Sequence, residues 1–167
     1  MLQGLKAGAV GGNRFTETGA KGKLFIRGGT RSQHVTNDVS ITLLSGMYDM
    51  LADSNAEKTT SGDGHITVGG NAYAAVLVAG ETNSKASGIR KSLVTVQDDA
   101  VVDALYTAGD YGSSTEVSVA LSGRCRVGEL SGHRSGKKGA VQDVTLTVSD
   151  PILIPPAVSL SAGTGVT

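Results

Sequence analysis

The chain has 167 residues, 39% hydrophobic and 18% charged, with 24 glycines, six aromatics and no tryptophan. That balance excludes a coiled coil, a helical bundle and a disulfide scaffold, and it is too rich in aliphatics for a charged disordered chain. Formal net charge is zero, yet it is segregated: +5 over residues 1–35, −7 over 36–123, +4 over 124–139 and −2 beyond. Basic ends around an acidic middle suit self-association by charge complementarity. No apolar run approaches the 18 residues of a membrane span, and the N-terminus has no apolar signal-peptide core, so no membrane partner is expected.

In chain order, residues 1–22 read as a flexible Gly-rich N-terminal arm, with six glycines and no sustained hydrophobic period. Residues 23–156 read as a β domain and 157–167 as a small-residue C-terminal tail. Lys23 to Arg27 is the first predicted strand, stopped at Gly28-Gly29. Residues 39–51 carry the best helical pattern, with Leu43, Leu44, Met47, Met50 and Leu51 at i, i+1, i+4, i+7 and i+8. His65 to Val68 predicts a strand closed by the turn Gly69-Gly70-Asn71, and Tyr73 to Ala79 a strand buried on both faces. Further strands follow at Leu93–Val96, Glu116–Leu121, Arg124–Val127 and Val141–Val148, while Ala100 to Ala108 suits either a strand or a short helix. Gly128 to Gly139 reads as a basic loop, and Pro151, Pro155 and Pro156 leave room for an edge strand at most. The fold class expected is all-β, a small β-barrel or sandwich with at most one or two short helices.

Candidate chemistry is sparse. His34, His65 and His133 are far apart and show no metal-ligand spacing. Asp63-x-His65 would share a strand face, as a general acid/base pair must, but in its Gly-rich turn the pair is read as part of a polar loop. Asp98, Asp99 and Asp103 offer oxygen ligands for a hard cation without the spacing of a calcium loop. Gly132 to Lys138 has three residues between its glycines rather than four, Lys138 where a magnesium-binding hydroxyl belongs, and a strand-like segment after it, so it is not a phosphate-binding loop. Without an aromatic platform or a net positive charge, the same loop does not argue for nucleic acid. Cys125, the only cysteine, is expected to be a buried structural thiol between Arg124 and Arg126. No catalytic, cofactor or metal site is expected, and no enzymatic activity.

The run Val94-Thr95-Val96-Gln97-Asp98-Asp99-Ala100, continuing through Val101 to Asp110 and from Thr115 to Val127, includes a V-x-V-A-x-x-G pattern at Val117 to Gly123. It resembles the core of the head decoration, or capsid cement, proteins of tailed phages. The resemblance covers residues 94–127 and implies a structural virion protein: a small β-barrel that binds across neighbouring capsid subunits, often as a trimer. Its partners would be the major capsid protein and copies of itself, and its location the virion, assembled in the host cytoplasm. A self-assembling viral coat or tail-tube subunit is the alternative.

Overall fold

The computed structural model describes residues 9–10, 13–14, 25–28, 34–54, 60–80, 91–149 and 159–161. Its strands are β1 (Ala9–Val10), β2 (Asn13–Arg14), β3 (Phe25–Arg27), β4 (Val39–Leu43), β5 (Met47–Tyr48), β6 (Met50–Ala52) and β7 (Gly64–Val68). They continue with β8 (Tyr73–Val78), β9 (Lys91–Val96), β10 (Val101–Tyr106), β11 (Ser113–Leu121), β12 (Arg126–Ser131), β13 (Ala140–Val148) and β14 (Ser159–Ser161). Apart from a two-stranded antiparallel ribbon of β1 and β2, every pairing is parallel. One sheet runs β14-β12-β10-β8-β6-β3, with β5 also on β8, and the other runs β13-β11-β9-β7-β4.

This is a β-solenoid of about 4 turns, not a barrel or a sandwich. From β3 onward the chain alternates between the two sheets, with β5 and β6 both in the first, and strands pair with those one full turn away. Val39 lies beside Gly64, Gly64 beside Ser92, Lys91 beside Glu116 and Ser113 beside Ala140, offsets of 25 to 28 residues. Half-buried alternation and strands about ten residues apart look the same in either architecture, because both bury one face of short strands. Only the partner of each strand differs.

Side chains facing inward stack into columns along the axis. Ile41, Ile66, Val94 and Val119 form one, and Leu43, Val68, Val96 and Leu121 a second, all buried. From the opposite sheet, Ile26, Leu51, Leu77, Leu105 and Leu130 form a third. At about 25 cal/mol per Å² of apolar surface removed from water, such aliphatic columns are the main source of stability here. Tyr73 to Ala79 is indeed buried on both faces in its second half. Leu77 enters the interior column, while Val78 joins Met50, Ala52, Phe25, Val76 and Tyr106 in a second apolar cluster.

No helix occurs among the described residues. The helical pattern over 39–51 is strand from both sheets of one turn, β4 and then β5 and β6, folded over a corner at Gly46, whose φ is +99°. Leu43 and Leu51 are buried there while Leu44 and Met47 are exposed, so the five apolar residues never form one stripe. The ambiguous Ala100 to Ala108 segment supplies β10, since Val102 and Leu105 continue inward columns. Arg124 and Cys125 belong to a corner, and Gly128 to Ser131 to β12 rather than to a loop. Of the arm expected over 1–22, only the β1–β2 ribbon is described, and of the tail over 157–167 only Ser159–Ser161, which pairs with Glu129–Ser131. The proline-bracketed segment 151–156 lies outside the described residues.

Candidate functional site

Three passes from the second sheet to the first turn a four-residue corner: 69–72, 97–100 and 122–125. Each of the three holds one residue in the left-handed region. That residue is Gly70 (φ +57°), Asp98 (+60°) and Gly123 (+69°) in successive corners. The last corner residue is small and buried each time, Ala72, Ala100 and Cys125, so that the chain can close over the interior. Cys125 is the buried thiol expected, though it reaches the interior from a corner rather than a strand, and burial pushes its pKa up.

The corners explain the acidic cluster. The Asp98 carboxylate accepts the Gly70 N–H at 2.8 Å, and the Asp98 carbonyl accepts the Arg124 N–H at 2.7 Å. Asp99 instead forms an exposed ion pair with Arg124 at 2.8 Å. Asp103 lies in β10 and accepts a hydrogen bond from the Tyr73 hydroxyl, which holds that phenol above its ordinary pKa. The Asp98 and Asp103 carboxylates therefore serve the preceding turn and Asp99 the following one, and the three do not converge on a cation. Among the described residues, no three His, Cys, Asp or Glu side chains gather at one point.

A second set of axial bonds sits where the strands of the second sheet begin. Asp38 Oδ1 accepts the Asp63 N–H at 2.9 Å, and Asp63 Oδ1 accepts the Lys91 N–H at 3.1 Å. Each carboxylate thus satisfies a main-chain donor one turn on, the role such a group plays at a helix N-cap. His65 is exposed on the outer face of β7, between Ser40 and Leu93 in the register. No Asp63–His65 hydrogen bond forms among the described residues. His34 precedes the bridge residue Val35, and His133 lies in the 132–139 loop with Nδ1 3.1 Å from the Arg134 carbonyl oxygen.

That loop is held down by charge. Arg134 grips the buried Asp110 carboxylate with Nε at 2.7 Å and a second guanidinium nitrogen on its other oxygen. Lys137 Nζ stands 3.8 Å from the same carboxylate and 5.1 Å from the Tyr111 ring centre, within cation–π range. Two of the loop's three basic side chains thus share the one Asp110 carboxylate, and this pins the loop to the preceding turn. Asp38, Tyr73 and Asp110 were not singled out by sequence. For Asp38 the signal was present, an aspartate 25 residues before Asp63 at the foot of a strand.

No protein-family model matches the chain, and no curated protein or solved structure does either.

Proposed function

We propose that this protein is a structural, non-catalytic component of an assembly larger than itself. The observation that carries this reading is the use of the carboxylates: Asp38, Asp63, Asp98, Asp103 and Asp110 each hold a donor from another turn of the solenoid. An acid committed to a neighbouring rung is poorly placed to move protons on a substrate. A short stack of aliphatic columns pinned by axial hydrogen bonds is a stiff unit, suited to spanning or bracing other subunits.

The setting we propose is the virion of a tailed phage, with the chain bound to the major capsid protein, and it rests on the resemblance over residues 94–127. In the solenoid those residues supply β9 to the start of β12, and the alternation that carries the resemblance lies in consecutive rungs. The test is co-sedimentation of the full chain with tailed-phage capsids stripped of decoration, followed by imaging for added mass outside the shell. Stoichiometric added density supports the reading. Failure to bind any capsid, or turnover of a substrate lost in Asp63→Asn, overturns it.

A further inference from the structure

β13 is the last strand of its sheet among the described residues, and it leaves the interior columns unfinished. In register, Val144 follows Val117, Leu146 follows Val119 and Val148 follows Leu121. Val119 is 1% exposed and Leu121 9%, whereas Leu146 is 38% and Val148 46% exposed. Two core positions thus face solvent. Among the described residues no strand pairs with β13 on the same side. Ser149 N–H donates back to the Leu121 carbonyl at 2.9 Å, and alternate residues of a strand address opposite neighbours. The N–H and C=O groups of Val144, Leu146 and Val148 therefore point along the axis, away from β11.

We propose that this edge pairs with β13 of a second copy, antiparallel, about a two-fold axis through Leu146. That register places Leu146 opposite Leu146 of the second copy and Val144 opposite Val148, which completes a small apolar layer. It also sets Thr145 against Thr147 and Asp143 against Ser149, so no like charges meet. The residues whose main-chain groups face the edge become the hydrogen-bonded pairs of an antiparallel ladder. Head-to-tail stacking does not fit as well. Asp38, Asp63, Lys91, Glu116 and Asp143 form one axial row, so the β4 end of a second copy laid on β13 would bring Asp38 onto Asp143. A two-fold contact closes on itself, whereas a head-to-tail one runs on as a fibre. Zero net charge raises no long-range barrier to two copies meeting. One strand pair is a small interface, so the dimer is a reversible one. This inference goes beyond the structural role proposed above and does not depend on a capsid.

The experiment is sedimentation equilibrium of the full chain over a wide concentration range, together with Leu146→Cys cross-linking. A concentration-dependent dimer is expected, weakened at least tenfold by Leu146→Asp but not by Met47→Asp, which changes an exposed residue elsewhere. Directly opposed residues in such a ladder have Cα atoms about 5.5 Å apart, within disulfide reach. Mild oxidation should therefore convert Leu146→Cys to a covalent dimer and leave Ser40→Cys, at the other end of the sheet, monomeric. A monomer at all concentrations, fibres in place of dimers, or equal cross-linking of the two cysteine variants would each overturn the proposal.

Discussion

Asp98 stands in the left-handed conformation that Gly70 and Gly123 hold in the adjacent corners, and its carboxylate accepts the Gly70 N–H. A non-glycine residue in that region costs roughly 1–2 kcal/mol, and a hydrogen bond returns about 0.5–1.5 kcal/mol. The two nearly cancel. Asp98→Gly is therefore expected to change unfolding free energy by less than about 1 kcal/mol, since strain and bond leave together. Asp98→Ala keeps the strain and loses the bond, and should cost about 0.5–1.5 kcal/mol. Urea unfolding of the two variants checks the order, alanine below glycine.

The neighbouring corner has no such tolerance. A Cβ at Gly70 would lie 2.1 Å from the Leu44 carbonyl oxygen, in a backbone conformation at φ +57°. Gly70→Ala should cost about 2–4 kcal/mol, conformational strain plus a clash that only main-chain movement relieves. Gly136 has a similar φ, +76°, with nothing within 4 Å of an added Cβ. Gly136→Ala should cost only about 1–2 kcal/mol, the strain alone, by the same unfolding measurement.

Two ion pairs of similar appearance should behave differently. The Asp110 side chain is 8% exposed and Arg134 grips it with two nitrogens, whereas the Arg124–Asp99 pair is open to water. Arg134→Ala leaves a buried carboxylate with Lys137 as its remaining cation and should cost about 2–3 kcal/mol. Arg124→Ala should leave thermal stability unchanged within error.

Cys125 is sealed beneath its corner with its thiol pKa raised, so the native protein should not react with a neutral-pH disulfide reagent on the timescale of minutes. Labelling should appear only as the protein unfolds in urea. Cys125→Ala copies Ala72 and Ala100 of the preceding corners and should cost about 1 kcal/mol or less. Rapid labelling of folded protein would show that the corner opens.

Strand content was legible in the sequence because inward residues such as Val94, Val96, Val117 and Val119 alternate with polar ones, and a strand's own period does not depend on its partner. Pairing was not legible, because alternation says which face is buried but not what lies beside it. The clue to pairing is a repeat longer than any strand. Val68-Gly69-Gly70-Asn71-Ala72, Val96-Gln97-Asp98-Asp99-Ala100 and Leu121-Ser122-Gly123-Arg124-Cys125 are one corner written three times, 28 and 25 residues apart. Two features hide it: only the first and last positions hold to a residue class, and Asp98 stands where the other corners have glycine. The structural role of Asp63 was hidden for a related reason, since a carboxylate that bonds along the axis is invisible until the next turn is placed.

Amide hydrogen exchange at Lys91 in Asp63→Ala tests most directly whether these carboxylates are structural. The Lys91 N–H should exchange at least tenfold faster than in the parent protein, with a fall in unfolding free energy of about 1 kcal/mol and unchanged association with capsids. Unchanged protection at Lys91, with association or a catalytic turnover lost, would contradict it and make Asp63 a functional group.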